Sequence, residues 1–248
     1  MDPRTLKLAD LILCIFETSS KLPKYSTVAT LRDGPGGVKQ ITWGYHQGTD
    51  ASNTVDEILE EFVKIVREKS YTYGPAIDMA ILRDWVLDIL PKFRSNNPTV
   101  MQRLANDNKV KVQLGVIGAL PEGQEAQRTV FRRKYMMPAI AAVEGSGWVD
   151  PISLVTVLDG MTHGSWARLR DLTSPQLKVE RNWIKAYLLR RNKWLRNAHE
   201  PLPATACRSE ALLKLMAEGN YNLTTPFVLD LGKVRGKFTI TEADLGVF

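Results

Sequence analysis

The chain has 248 residues, 44% of them hydrophobic and 24% charged, the make-up of an ordinary globular protein and not of a disordered or fibrous one. No apolar run approaches the ~20 residues that a membrane-spanning helix needs. The formal net charge of +6 favours polyanionic partners such as nucleic acid, anionic membrane or bacterial cell wall, while two distant cysteines (Cys14, Cys207) and three scattered histidines (His46, His163, His199) suggest neither a disulfide framework nor a metal site.

Thr5 to Phe16 reads as a helix, because Leu8, Leu11, Ile12, Ile15 and Phe16 recur at helical spacing. Arg4 and Lys7 precede this apolar stretch as they would in a signal peptide. Asp10 interrupts it, however, and no small-x-small cleavage site follows, so the segment reads as a mature helix. Glu17 ends the helix, and Thr18-Ser-Ser20 and Pro23 stop it. Gly34-Pro-Gly-Gly37 is a turn signal. Val38 to Tyr45, with Val38, Ile41, Trp43 and Tyr45 among polar residues, suits a short strand. Helices resume at about Val55, capped by Ser52, Asn53 or Thr54, with Val55, Ile58, Leu59, Phe62, Val63 and Val66 as the buried stripe.

Further helical segments are expected over roughly 76–90, 99–117, 123–143, 151–158, 178–197 and 208–218. Pro75, Pro91, Pro98, Pro121, Pro151 and Pro175 stand at or near the breaks, and Pro138 should kink or end the segment that holds it. Gly219-Asn220 looks like a helix C-cap. Phe227 to Thr241 alternates apolar and polar residues about Gly232-Lys233, as a β-hairpin would. The expected class is α+β, mostly α: two lobes with a cleft between them and a small β element near the N-terminus.

Two carboxyl groups in this order suggest hydrolysis of a glycosidic bond. That reaction needs a protonated carboxyl for the leaving oxygen and an ionised one to activate water or attack the sugar. Glu17 follows Cys14-Ile-Phe16, apolar neighbours that disfavour a charged carboxylate. Asp33 stands in Leu31-Arg-Asp-Gly34, a polar turn open to water. Each feature alone is common: a Glu ending an apolar helix is more often a surface residue, and Asp-Gly more often only a turn. The order of helix, Glu, loop, Asp-Gly and short strand raises their weight.

Glu17-Thr-Ser-Ser20, Arg32-Asp-Gly-Pro-Gly-Gly37, Ile41-Thr-Trp-Gly44 and Gly48-Thr-Asp50 together resemble the N-terminal signature of family 46 glycoside hydrolases, the chitosanases. The resemblance implies a lysozyme-like fold over residues 1–248 as one catalytic domain, with a minor lobe of about 18–75. It implies Glu17 as general acid, Asp33 as general base, Thr42 as the holder of the attacking water, and an inverting outcome. Ser19 and Asp50 match residues that line the sugar site; Tyr25 and Trp43 are aromatic candidates for sugar stacking, or else they pack the β element onto the core. Leu158-Asp-Gly-Met-Thr-His-Gly164, Tyr187-Leu-Leu-Arg-Arg191 and Arg208 with Leu215-Met-Ala-Glu-Gly-Asn220 resemble the family's C-terminal segments. That match implies a buried ion-pair network of Asp159, Arg191 and Arg208. The stretch of about 76–145 matches only as helices.

The sequence departs from the family in three places. The turn lacks the family's arginine, whose charge Lys39 could replace. Nine positions separate Asp33 from Thr42 (42 − 33), more than the family pattern has, and Gly48-Thr-Asp50 lacks one glycine.

A polysaccharide is the expected partner, chitosan by the motifs, with no cofactor, no metal and no partner copy (a monomer). Peptidoglycan competes, because a protein of net +6 is less suited to a polycation, so a muralytic, endolysin-like enzyme is the alternative. The acidic residues Asp56, Glu57, Glu60 and Glu61 are expected to solvate a helix face more than to line a cationic cleft. A non-catalytic binding or virion protein of the same fold is a further alternative. The basic stretches 128–134 and 181–196 could suggest nucleic acid, but no recognised motif supports it. His46 and His163 read as structural. The expected place of action is outside the cell or on its wall, after synthesis in the cytoplasm without a recognisable signal peptide.

Overall fold

A computed structural model describes residues 1–69, 79–198 and 202–247. The first helix, α1 (Pro3–Thr18), starts where Asp2 accepts hydrogen bonds from the Thr5 amide and hydroxyl, with Pro3 in the first turn. It ends at Ser19, whose left-handed backbone (φ 50°) lets its N–H bond to the Ile15 carbonyl. Leu8, Leu11, Ile12, Ile15 and Phe16 are all buried, as the spacing predicts. Each such side chain contributes roughly 1.5–3 kcal/mol by leaving water.

A small antiparallel sheet follows, in the order β1 (Val28–Leu31), β2 (Gln40–Trp43), β3 (Gly48–Thr49). Trp43 stands opposite Val28, and Thr42 opposite Ala29 and Thr49. The strand expected over 38–45 is thus realised in its middle. The β1–β2 connection carries Asp33 and a tight turn, Pro35–Gly37, in which Gly36 and Gly37 adopt φ of 69° and 75° that side chains resist.

Among the described residues this region continues with α2 (Thr54–Glu68), α3 (Met79–Arg94), α4 (Pro98–Asn106), α5 (Asn108–Ala119) and α6 (Pro121–Phe131). The expected start of α3 near residue 76, with Pro75, lies outside the described residues. Pro91 does not break α3; it stands three residues before the end, where little of the ladder is lost. The single helix expected over 99–117 is two, because Asp107 turns the chain and caps the Lys109 and Val110 amides.

After α6 comes a π-helical turn (Arg132–Met136) and then α7 (Met137–Gly145). Pro138 falls in the first turn of α7, where a proline costs little, so it neither sits inside a continuous α-helix nor ends one; the π turn comes just before it. Then follow α8 (Pro151–Thr162), α9 (Trp166–Leu172), α10 (Glu180–Arg196) and α11 (Ala206–Ala217). Helix α9 was not expected. The chain closes with β4 (Phe227–Asp230), a short turn of helix α12 (Gly232–Arg235) and β5 (Lys237–Ile240); the two strands form the expected hairpin, with Phe227 opposite Ile240.

The chain divides into two compact units, Met1–Leu22 with Lys134–Phe248, and Pro23–Arg133. The second is larger than the lobe of about 18–75 expected from the sequence. Its sheet buries Ile41 and Trp43 in a core with Val55, Leu59, Phe62, Val86, Leu114 and Val130. Three short strands cannot cover that apolar face alone, so α3 to α6 belong to the same unit. The whole is mostly α with a small antiparallel β portion.

Candidate active site

In the first unit, Glu17 lies in the last turn of α1, with 14% of its side chain exposed. Its carboxylate accepts hydrogen bonds from Arg208 Nη1 (2.7 Å) and Nη2 (3.0 Å). The Nη1 group also donates to Asp159 Oδ1 at 3.1 Å. The other oxygen of Asp159 accepts from Arg191 Nη1 at 2.5 Å. Arg191 is fully buried and donates further to the hydroxyls of Ser165 (3.2 Å) and Ser209 (3.3 Å). Two guanidinium groups therefore face two carboxylates, and the formal charges cancel.

Burial opposes the charge on Asp159, but Arg191 and Arg208 outweigh it and hold the carboxyl below its ordinary range. Burial likewise opposes the charge on Arg208, and Glu17 and Asp159 outweigh it. His163 is attached to the same cluster, its amide donating to the Asp159 carbonyl at 3.1 Å. Burial, reinforced by Arg208 and Arg191, pushes its imidazole down to about 4, so the ring is neutral at neutral pH. The purely apolar surroundings expected for Glu17 are not what the fold supplies. Arg208 comes to it from 191 residues away, a partner that the local sequence cannot reveal.

A further contact finishes the helix end that carries Glu17. Arg235, in α12, donates from Nη1 to the Phe16 carbonyl at 2.6 Å. Carbonyls in a last helical turn lack intrahelical partners, and a cation suits the negative end of the helix dipole.

In the second unit, Asp33 is exposed on the β1–β2 connection. Its Oδ1 accepts a hydrogen bond from Gln40 Nε2 at 2.9 Å. Gln40 is 4% exposed, and its Oε1 accepts from the Ala51 amide, also at 2.9 Å. Gly34, next to Asp33, is required: a Cβ there would lie 2.9 Å from the Val38 carbonyl oxygen. Strand alternation sets Gln40 and Thr42 on one face of β2, and Ile41 and Trp43 on the other. Thr42 is buried, and its hydroxyl has no partner among the described residues.

Asp50 follows β3, its amide bonded to the Ile41 carbonyl at 3.0 Å. It is 2% exposed, and its Oδ2 has no hydrogen-bond partner among the described residues. Burial, and then the nearby Asp56, pushes its carboxyl up to about 7.

The remaining candidates divide. Ser19 is exposed at the C-cap of α1. Tyr25 is half-buried, its ring centroid 4.7 Å from that of Tyr45, its hydroxyl accepting from Arg128 at 3.1 Å and its carbonyl from Gln127 at 2.9 Å. Trp43 corrects the expectation of sugar stacking: it is fully buried in the core and offers no face to a ligand.

The acidic run of α2 is not a freely solvated face either. Asp56 and Glu61 are buried, Glu57 and Glu61 pair with Arg133, and Glu60 pairs with Arg94. The basic stretches are similarly engaged: Arg181 binds Asp150, Arg191 is buried, and Arg196 meets Glu210. Cys14 is a buried core residue, as expected. His199 lies outside the described residues. Among the described residues there is no metal-ligating cluster and no helix long and apolar enough to cross a membrane.

No family model matches the sequence, and no curated protein matches it. The fold is nevertheless shared with solved structures over almost the whole chain. The native chitosanase of Bacillus subtilis MY002 superposes with a TM-score of 0.80 at 20% identity, covering 97% of this chain and 100% of its own. A mutant of that enzyme has been solved with six GlcN units and superposes equally well, at 19% identity over the same shares. The GH46 chitosanase of Gynuella sunshinyii, in complex with chitotetraose, gives 0.79 at 18% identity, covering 97% of this chain and 98% of its own. The fold is therefore that of the chitosanases.

Proposed function

We propose that this chain is an endo-acting, inverting glycoside hydrolase of β-1,4-linked amino-sugar polysaccharides, with chitosan as its substrate. The observation that carries the reading is the shared fold, unbroken over 97% of the chain, with proteins whose structures hold glucosamine oligomers. The chemistry agrees with it. Glu17 is assigned to give a proton to the leaving glycosidic oxygen. Asp33, through Oδ2, the oxygen not engaged by Gln40, takes a proton from the water that attacks the anomeric carbon. The buried, partnerless hydroxyl of Thr42, on the strand face it shares with Gln40, suits a group that holds that water. Arg208 is shared with Asp159, so it keeps a partner when Glu17 exchanges its contact for the substrate. The protein would act as a monomer on polymer outside the cytoplasm.

Peptidoglycan is the second reading, favoured by one observation: Glu57, Glu60 and Glu61 are occupied by arginines and are not free for a polycation. Chitosan, chitin and purified peptidoglycan, incubated side by side, separate the two. Chain scission of chitosan, with inverted anomers by NMR and a mixture of oligomers, is the expected result. Glu17→Gln and Asp33→Asn should each lower turnover by roughly 10²–10⁴-fold while remaining folded. Wild-type activity in either variant removes that residue from its role, and no product from any polymer leaves a binding protein.

A further inference from the structure

We infer that Gln40 is a positioning residue: its side-chain amide fixes Asp33 and decides which carboxylate oxygen acts as the base. The inference rests on the hydrolase reading above and adds a residue to it. Asp33 is exposed, on a connection whose turn contains two left-handed glycines, and little there restrains a carboxylate. Gln40 is its only side-chain partner among the described residues, at 2.9 Å. The amide is itself anchored, because it is 4% exposed and its oxygen accepts from the Ala51 amide at 2.9 Å.

A carboxamide does both jobs from one position without adding charge. It donates to a carboxylate through Nε2 and accepts a backbone N–H through Oε1. The donor occupies Asp33 Oδ1, which leaves Oδ2 to accept a proton. Thr42 is the next residue on the same strand face, roughly 7 Å along the strand from Gln40. The turn lacks the arginine of the chitosanase pattern. Among the described residues Asp33 takes its side-chain hydrogen bond from Gln40 and forms no ion pair with Lys39, the neighbouring cation, so the structure assigns the restraint to Gln40.

Two variants separate the parts. Gln40→Glu keeps the length and an acceptor for Ala51 but sets an oxygen against Asp33; Gln40→Met keeps the bulk and removes both hydrogen bonds. Turnover on chitosan should show kcat falling about 10- to 100-fold in each, with KM changed less than about twofold, because misplacing a base harms the reacting geometry and not the binding of the polymer. Melting curves establish that each variant is folded, and Gln40→Glu decides the matter if Gln40→Met is not. Crystal structures of the wild type and of a folded variant give a second measurement: Asp33 should leave its wild-type rotamer.

An unchanged kcat, a change in KM alone, or Asp33 unmoved in the variant crystal overturns the assignment. If the wild type cleaves none of the polymers, the hydrolase reading falls by itself. The crystal comparison then decides whether Gln40 holds Asp33.

Discussion

Arg208 grips Glu17 through both Nη atoms, at 2.7 and 3.0 Å, and so joins the end of α1 to a buried cluster on α8, α10 and α11. The guanidinium is 3% exposed and has carboxylates on two sides. Such a group is costly to bury and costlier to remove, since removal leaves two carboxylates, Glu17 and Asp159, with Arg191 as their one remaining counter-ion in the cluster.

Arg208→Met should therefore destabilise the protein by about 3–5 kcal/mol, the cost of breaking a buried ion-pair network by removing one of its members, and should abolish turnover. Arg208→Lys retains the charge but cannot span both carboxylates, so a smaller loss of about 1–3 kcal/mol is expected. Denaturant unfolding measures both. A methionine variant within 1 kcal/mol of wild type would contradict the description of the cluster.

Asp50 makes stability depend on pH. In the unfolded chain its carboxyl titrates near 3.8, and in the folded chain near 7. Between those values the folded state holds a proton that the unfolded state has released. Its contribution is complete below 3.8 and is lost as pH rises through about 7. Asp50→Asn, which keeps the shape and cannot ionise, should be more stable than wild type above pH 7 by on the order of a few kcal/mol. Equal stability of the two proteins at pH 8 would show that the site is better solvated than its burial indicates.

His163 acts in the opposite direction. Its imidazole titrates near 6.5 when unfolded and near 4 when folded, so its contribution is present above 6.5 and is lost as pH falls through about 4. The two slopes oppose one another across pH 4–6.5. Asp50→Asn should expose the rise in stability with pH that His163 causes, and His163→Gln should expose the fall that Asp50 causes. Urea midpoints at half-unit pH intervals test this, and parallel profiles for all three proteins would refute it.

Gly160, beside Asp159 on α8, leaves room for the Tyr187 hydroxyl: a Cβ at 160 would lie 2.4 Å from that oxygen. Tyr187 cannot easily retreat, since its ring stacks on Trp183 and packs against Trp166. Gly160→Ala should cost about 1–3 kcal/mol by overpacking, and Tyr187→Phe in the same chain should restore much of the loss. A double-mutant cycle with no coupling would exclude the proposed clash.

Local pattern was readable where local physics decides. Apolar spacing gave α1 and the stripe of α2. Gly219 serves as the expected cap, with φ of 76° and Asn220 reaching back to the Leu215 carbonyl. Long-range coverage was not readable. Periodicity cannot say that Trp43 lies under neighbouring helices, nor that the acids of α2 meet Arg94 and Arg133.

Asp107 breaks a helix without glycine or proline, by capping the next one, so neither of the usual break signals marks it. Asp159, Arg191 and Arg208 could be named together only because their segments resemble a known pattern; no spacing joins positions so far apart. Gln40 carries no motif at all. Its importance follows from a strand register that sets its amide between Asp33 and Ala51.

The contact between Arg235 and the Phe16 carbonyl joins positions 219 apart. A ribosome makes the first helix early and the hairpin turn that seals it much later. During elongation the segment bearing Glu17 can be helical yet unsecured at its last turn, and it becomes fixed only after β4 and α12 have emerged. The last turn of α1 is thereby left open until the segment bearing Arg235 has been made.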